Sequence, residues 1–189
     1  VRQAVKSGLT VVINEGNHDK LGMHDTSDNW FPALKAAGAI VVDRPKILDI
    51  GNYKLHVVPF YRDPAVARTS FETVAKVADP NKSVLLFHTE IRGCSLNPKV
   101  VSTSDHALAL RDLHPKRYMY CLGGHIHMHQ FLCSNALYVG SPFGQDWGEA
   151  NQPKGYVLVD FAAKRMEFIP SSLPRLYDPT WPGYKPPRS

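Results

Sequence analysis

Three short stretches of the sequence carry side chains that could bind a metal ion. They are Gly16-Asn17-His18-Asp19, the single His88, and Gly123-Gly124-His125-Ile126-His127. Imidazole nitrogens combined with amide and carboxylate oxygens suit Mn²⁺, Zn²⁺ or Fe²⁺ better than Ca²⁺. The residue types therefore indicate a divalent-metal site, provided that the fold brings the three stretches together.

The apolar runs before these stretches predict the strands that must position them. Residues 9–13, 84–87 and 118–122 each have the composition of a buried strand, and the polar residues follow at the C-terminal end of each. In a sheet flanked by helices, loops at these ends carry functional groups without interrupting the core. We therefore expect the three strand ends to converge.

Each stretch also has an ordinary structural interpretation. Asn17 after a glycine could be a turn residue, and a lone His88 at a strand end could be bonded to a backbone carbonyl. His125 and His127 could simply face water. The presence of all three stretches in one chain favours metal coordination over these alternatives. The remaining histidines are interpreted as structural or surface residues, with His129 the exception that could lie near the site: His24, His56, His106, His114 and His129.

The order of the three stretches resembles that of the calcineurin-like metallophosphoesterases, whose motifs include GNH(D/E), a later single His and GHxH. The resemblance spans about residues 9–168 and is greatest to the SbcD-like DNA-repair exonucleases, especially the phage type. Two earlier motifs of the family, DxH and GDxxD, are absent, since no Asp-x-His precedes residue 16. The stretches that resemble the exonuclease branch are His88-Thr89-Glu90 with Gly93, Gly140-Ser141-Pro142, residues 145–149, and Lys154-Gly155-Tyr156.

The resemblance implies a centre of two divalent ions, with Mn²⁺ expected and Zn²⁺, Fe²⁺ or Mg²⁺ as alternatives. Asn17, His88 and His125 would hold one ion, and His127 would reach the other. Two ions about 3.5 to 4 Å apart can activate water and stabilise charge on a phosphoryl group. The resemblance makes His18 the residue that stabilises the transition state or protonates the leaving oxygen, with Asp19 orienting it by a hydrogen bond.

The spacing of His125 and His127 is compatible with this division of ligands. Side chains two residues apart on an extended chain project to the same side. A small rotation would then direct each imidazole to a neighbouring ion. We therefore expect an extended backbone at this point.

Composition places limits on the class of protein. The 189 residues suffice for one domain, and no apolar run is long enough to span a membrane. The three cysteines, Cys94, Cys121 and Cys133, form no CxxC pair, which argues against a disulfide framework or a structural zinc site and favours the reducing cytoplasm. The net charge of +5 suits DNA as a partner, although an ordinary basic surface explains it equally well.

Strands and helices alternate in the first half, which predicts an α/β fold. The resemblance implies a four-layer α/β/β/α sandwich of two mixed sheets flanked by helices. Residues 1–7 have the pattern of a helix end, so we expect the N-terminal part of the first sheet to be missing. The domain would cover residues 1–169, followed by a proline-rich extended tail, residues 170–189.

The second half is mostly β, and we expect it to form a second sheet stacked on the first. Three helices are predicted. One is capped by Ser27 or Asp28, one starts at Asp63, and a short one is capped by Ser104. Further strands are predicted over residues 39–42, 54–59, 130–133, 136–139, 156–161 and 165–169.

The function implied by the resemblance is that of a metal-dependent DNA exonuclease or endonuclease subunit. Its implied partners are DNA, an N-terminal fragment or companion chain that completes the site, and an SMC-like ATPase subunit. Two alternatives stay open: a non-catalytic or split subunit that serves as a scaffold, and a phosphatase or phosphodiesterase for a small substrate. Glu90 and Arg92 are candidate substrate contacts. Phe143 and Trp147 could stack on an unpaired base or cover the edge of the second sheet.

Overall fold

A computed structural model describes residues 1–20, 31–173, 176 and 180. Within these residues the fold is mixed α/β and is built around a six-stranded sheet. The helices are α1 (Arg2–Lys6), α2 (Pro32–Ala36) and α3 (Pro64–Ala75). The strands are β1 (Val12–Asn14), β2 (Ile40–Val42), β3 (Lys46–Ile50), β4 (Tyr53–Val58), β5 (Ser83–His88), β6 (Ser95–Asn97), β7 (Val100–Val101), β8 (Tyr120–Gly124), β9 (Gln130–Cys133), β10 (Ala136–Tyr138), β11 (Gly155–Asp160) and β12 (Arg165–Pro170).

The six-stranded sheet has the order β3-β4-β5-β8-β10-β9. Its four inner strands run parallel, and the edge strands β3 and β9 run antiparallel to their neighbours. In β5, Val84, Leu85 and Phe87 are all at most 1% exposed, which identifies a strand covered on both faces. The C-terminal ends of β4, β5, β8 and β10 therefore lie along one edge of the sheet.

The two faces of this sheet are covered by different elements. On one face, α3 buries Ala67, Phe71 and Val74 in a cluster that includes Leu85 and Phe87 of β5. Asp63 begins α3 by accepting a hydrogen bond from the Ala65 amide at 2.8 Å, and Pro64 occupies the first helical position, as predicted.

The opposite face packs against a small parallel sheet formed by β1 and β2. Val12 and Val42 of this sheet share a cluster with Val57 and Val84. Farther out, Leu34 of α2 packs on Val41 of β2. The strand predicted over residues 9–13 thus belongs to a sheet of its own, stacked on the sheet that contains β5 and β8.

The prediction that the second half forms a separate sheet is wrong for β9 and β10. Strand β10 pairs in parallel with β8, and β9 adds to its other side in antiparallel orientation. Ala136, Leu137 and Tyr138 are each at most 1% exposed, so both faces of β10 need cover, which an inner position in the large sheet provides. Only β11 and β12 form a separate antiparallel hairpin.

The short helix predicted after Ser104 is also wrong. The Ser104 hydroxyl does accept a hydrogen bond from the His106 amide at 3.2 Å, but this closes only a turn. The segment continues as two 3-10 turns, Leu110–Leu113 and Pro115–Arg117, because the proline lacks the amide that would extend the first. Ser27 and Asp28, and most of the predicted tail, lie outside the described residues. Among the described helices, none has the length and apolar character needed to cross a membrane.

His56 makes the stability of this fold sensitive to acid. It is fully buried on β4, its Nδ1 lies 3.0 Å from the Val74 carbonyl oxygen, and Nε2 has no partner among the described residues. Burial lowers the pKa of His56 below its ordinary value of 6.5. Below pH 6.5 the unfolded chain therefore binds a proton that the folded chain does not, and stability decreases until the pH passes the folded pKa.

We expect the free energy of unfolding to decrease below pH 6.5 by up to about 1.4 kcal/mol per pH unit from this one group. His56→Phe should remove that part of the slope. Urea unfolding of both proteins between pH 7.5 and 5 measures the difference. Parallel stability profiles for the two proteins would contradict the assignment.

Candidate metal centre

The three predicted stretches meet at the C-terminal edge of the large sheet. Asn14, at the end of β1, donates a side-chain hydrogen bond to the Val58 carbonyl at the end of β4 over 3.0 Å. Strands β5 and β8 are direct neighbours, with His88 opposite Gly124 in the register. The ends of β1, β5 and β8 are therefore close together although β1 belongs to a different sheet.

Asn17, His88 and His125 point their donor atoms at one another. Asn17 Oδ1 lies 3.0 Å from His88 Nε2 and 3.1 Å from His125 Nδ1. Ligand atoms at right angles around an ion with bonds of about 2.1 Å lie about 3.0 Å apart. The distances from the Asn17 oxygen to the two ring nitrogens thus match the spacing of neighbouring ligands on a single divalent ion.

The amide of Asn17 is essential to this set. Within residues 1–20 and 31–173, no group of three or more His, Cys, Asp or Glu side chains is arranged to hold a metal ion. His88 and His125 alone provide two donors, so the third must come from the Asn17 oxygen. Metal binding at this point stays a prediction, and the donor spacing is the observation that fits it.

Two glycines provide the space that the His88 ring occupies. A Cβ atom on Gly16 would lie 2.8 Å from His88 Cε1, and one on Gly124 would lie 2.8 Å from His88 Nδ1. Phe60 adds a third contact, with its ring edge-on to His88 and stacked on His125 at 5.8 Å between ring centres. The two imidazoles are therefore held in place by the protein itself.

Burial keeps both rings neutral. It lowers the pKa of His88 to about 3, with repulsion from the charges of His125, His18 and His127 acting in the same direction. Burial also lowers the pKa of His125, although Glu90 opposes the shift. At neutral pH both rings are unprotonated, as metal coordination by imidazole requires.

The backbone at His125 is not extended, so the spacing argument for His125 and His127 was wrong. His125 has a φ of 81°, in the left-handed region that side chains other than glycine rarely adopt. This turn directs His125 toward Asn17 and His127 toward Glu149. The two histidines do separate to different surroundings, but a strained backbone separates them rather than a rotation on an extended chain.

A buried ion pair between Glu149 and Lys154 supports His127. The sequence patterns predicted no role for these two residues. His127 Nδ1 lies 2.5 Å from Glu149 Oε1, and the Lys154 ammonium donates to Glu149 Oε2 at 2.6 Å. Lys154 also donates to the Ser141 hydroxyl and to the His127 carbonyl. Burial would raise the pKa of Glu149, but the bonds from Lys154, His127 and the Gln145 amide outweigh it and lower that pKa.

The loop that carries Asn17 is bracketed by a second buried ion pair. Lys20 Nζ lies 2.9 Å from Glu15 Oε2, and both side chains are at most 2% exposed. The Glu15 amide donates to the Val42 carbonyl, and the Phe60 amide donates to the Glu15 carbonyl. These bonds attach the loop to the ends of β2 and β4, which the sequence patterns did not reveal.

His18 and Asp19 occupy the turn of this loop. His18 is exposed and lies close enough to His88 and His125 for its charge to lower their pKa values. Asp19 Oδ2 accepts a hydrogen bond from the Gly16 amide at 2.7 Å. This bond shapes the loop backbone, and no hydrogen bond joins Asp19 to His18 in the part of the chain that the structure describes. The orientation of His18 by Asp19 stays a prediction.

The candidate substrate contacts have different surroundings. Glu90 accepts a short hydrogen bond from the Ser102 hydroxyl, whereas Arg92 lies 3.3 Å from Asp105 on the surface. Phe143 is 45% exposed and Trp147 73% exposed. Both rings are accessible to solvent, which favours base stacking over cover of a sheet edge.

Among the other described histidines, only His129 was predicted to lie near the site. His129 Nδ1 is 3.2 Å from the Val139 carbonyl oxygen, and its ring stacks on Phe168, so it has a structural role. The only Asp-x-His in the sequence, Asp112 to His114, precedes β8 and therefore lies at the opposite end of that strand from His125. It cannot substitute for the absent family motif. His24 lies outside the described residues.

The chain is similar in sequence to two viral proteins. It is 26% identical over 169 residues to "Exonuclease subunit 1" of Enterobacteria phage T4, which covers 88% of this chain and 47% of that protein. It is 25% identical over 170 residues to "Putative phosphoesterase 244L" of Invertebrate iridescent virus 6, covering 86% of this chain and 56% of that one. These names indicate a phosphoesterase or nuclease family. The chain spans about half the length of these curated relatives, and no family model matches it.

Proposed function

We propose that this chain forms part of the centre of a metal-dependent DNA nuclease that hydrolyses phosphodiesters. The observation that supports this most is the spacing of Asn17, His88 and His125, whose donor atoms lie 3.0 to 3.1 Å from the shared Asn17 oxygen. Similarity to proteins named as an exonuclease subunit and a phosphoesterase supports the same chemistry.

In this proposal Asn17, His88 and His125 hold one divalent ion, and His127 contributes to a second. The ions, with Mn²⁺ expected from the family resemblance, would activate water and neutralise charge on the phosphoryl group. His18, exposed at the turn of its loop, would hold the proton that the leaving oxygen receives. Asp19 would keep that turn closed through its bond to the Gly16 amide.

Exposed cations at the same edge of the sheet favour DNA over a small substrate. Lys46 is paired with Val57 near the C-terminal end of β4, and Arg44 follows the end of β2 with its side chain 87% exposed. Trp147 lies between Asp146 and Gly148, which line a cavity of about 220 Å³ together with His125 and His127. Cations for phosphates and an exposed aromatic ring for a base suit a strand end.

We infer that the domain is a four-layer sandwich. Its layers, in order of packing, would be α2, the β1–β2 sheet, the large sheet and α3. A segment on the same polypeptide or on a companion chain would add strands to β1 and ligands to the second ion. Because one relative is named a subunit, a companion such as an SMC-like ATPase belongs to the proposal. The scaffold alternative would keep these layers without the hydrolysis.

We expect Arg44→Ala combined with Lys46→Ala to weaken DNA binding and to make it less dependent on salt. Removing two phosphate contacts should reduce the slope of log K against log salt by about 1.4 for single-stranded DNA and about 1.8 for a duplex. The matched control is Lys82→Ala with Lys116→Ala, which removes two exposed cations from the opposite edge of the sheet. Anisotropy of labelled DNA at several salt concentrations measures both slopes.

Equal losses in the two double variants would mean that the whole basic surface binds DNA without reference to the site. No loss in either would favour the small-substrate alternative.

A further inference from the structure

His127 is held at one ring nitrogen and open at the other. Its Nδ1 lies 2.5 Å from Glu149 Oε1. The imidazole also lines the cavity beside His125, and the side chain is 36% exposed. The nitrogen across the ring, Nε2, is therefore the one available to a ligand from the cavity.

Glu149 in turn has few alternative arrangements. Its second oxygen, Oε2, accepts hydrogen bonds from the Lys154 ammonium at 2.6 Å and from the Gln145 amide at 3.2 Å. Glu149 is 7% exposed and Lys154 only 2% exposed, so water cannot replace these partners readily. With Oε2 occupied by donors, Oε1 can only accept from His127, which places the imidazole proton on Nδ1.

We propose that Glu149, fixed by Lys154, is a positioning residue that keeps the neutral His127 ring protonated at Nδ1 and leaves the Nε2 lone pair facing the cavity. This inference rests on the proposed function, in which His127 reaches a metal ion. A ring protonated at Nε2 could not coordinate through that atom. A carboxylate behind a ligating imidazole also increases its basicity.

The structure makes a specific prediction for Glu149→Gln. Lys154 and the Gln145 amide both require an acceptor at the Oε2 position, so the carbonyl oxygen of the new amide should turn toward them. Its NH₂ group would then face His127 Nδ1 and donate to it. The imidazole proton should move to Nε2, which reverses the tautomer without removing any bulk.

The test is a long-range ¹H–¹⁵N spectrum of the ¹⁵N-labelled 189-residue chain without metal, with His127 assigned by its loss in His127→Gln. We expect a protonated Nδ1 in the wild type and a protonated Nε2 in Glu149→Gln. Adding Lys154→Met to Glu149→Gln removes the strongest donor, so part of the Nδ1-protonated form should return. Asp160→Asn is the matched control: it changes an exposed carboxylate at the end of β11 that accepts a hydrogen bond from the Ala163 amide at 2.8 Å, a role that asparagine also fills.

A second measurement connects the tautomer to metal binding. Titration with Zn²⁺ alone should show that Glu149→Gln weakens binding at His127 by about 10 to 100-fold and leaves the His88 signals responding as in the wild type. Asp160→Asn should leave both responses unchanged.

A wild-type ring protonated at Nε2 would overturn the proposal, and so would an unchanged tautomer in Glu149→Gln. If Glu149→Gln does not fold, the proposal is tested by the wild-type spectrum and by the double variant of Glu149→Gln with Lys154→Met, which removes one charge of each sign. The tautomer is measured without metal, DNA or turnover, so it is separate from the nuclease function. If the protein proves not to be a nuclease but the His127 ring is protonated at Nδ1, the positioning role of Glu149 still holds. If the protein is a nuclease but the ring is protonated at Nε2, only the positioning role is wrong.

Discussion

His88→Ala should remove metal from the proposed centre, whereas His18→Gln should remove turnover and leave the metal in place. His88 lies half-buried between Gly16 and Gly124 with Nε2 directed at Asn17 Oδ1, so its loss deletes a donor that no neighbouring side chain replaces in the described residues. His18 is exposed at the turn of the same loop and makes no such contact there. The two variants therefore distinguish a residue that binds the ion, His88, from a residue that transfers a proton, His18.

We expect His18→Gln, made in the complete enzyme, to lower kcat by about 10²- to 10⁴-fold, the usual contribution of a general acid. Its metal content should stay close to that of the wild type. His88→Ala should weaken metal binding by more than the roughly 10- to 100-fold that loss of a supporting residue causes. Elemental analysis after gel filtration and hydrolysis of a labelled DNA strand measure the two quantities.

The control for both variants is His106→Ala, which removes an exposed histidine from the loop after β7. It should change neither quantity. Equal loss of metal in His18→Gln and His88→Ala would assign His18 to the ion and end its role as the acid. Full metal content in His88→Ala would mean that the donors around Asn17 serve only to order the loop.

The parts of the fold that the sequence predicted are those fixed by local pattern. β5 and β8 are apolar runs with ligand-type residues at their ends, and α3 begins with an Asp63-Pro64 pair that forms the expected cap. In each case neighbouring residues determine the outcome. The position of the proposed ligands at strand ends followed from the same local signals.

The parts that it missed depend on long-range pairing. Nothing in residues 136–138 indicates that they add to β8 rather than to a new sheet, because burial on both faces depends on what packs there. Glu149 meets His127 across 22 residues and Lys154 through a loop. The available signal was that three charged residues in the Gly140 to Tyr156 stretch, which resembles the exonuclease branch, had no partner assigned: Asp146, Glu149 and Lys154.

The second proposed ion has too few ligands within this chain. Residues 1–189 supply Asn17, His88 and His125 to one proposed ion but only His127 to the other, whereas such ions take about four to six ligands including water. If the family resemblance holds, further donors would come from the Asp-x-His and Gly-Asp-x-x-Asp motifs. Within residues 1–20 and 31–173, β1 pairs on one side only, and Leu9 before it is 62% exposed, so strands from another segment have a place to add.

We therefore expect the 189-residue chain alone to bind at most one divalent ion tightly and to hydrolyse a phosphodiester poorly or not at all. A second polypeptide that carries Asp-x-His and Gly-Asp-x-x-Asp should add the second ion and restore hydrolysis by several orders of magnitude. Mn²⁺ titration and a nuclease assay, with and without that polypeptide, measure both. The matched control polypeptide has its metal-binding aspartates changed to asparagine, and it should associate without restoring either property.

Two outcomes would change the assignment in different ways. Two tightly bound ions and full activity in the isolated chain would mean that His127 has ligands which the motif comparison misplaced, since four donors cannot saturate two ions. Association of the unaltered polypeptide without any hydrolysis would contradict the nuclease assignment. In that case the buried pairs Glu15–Lys20 and Glu149–Lys154 would serve to shape a binding surface, and the scaffold function would replace the nuclease.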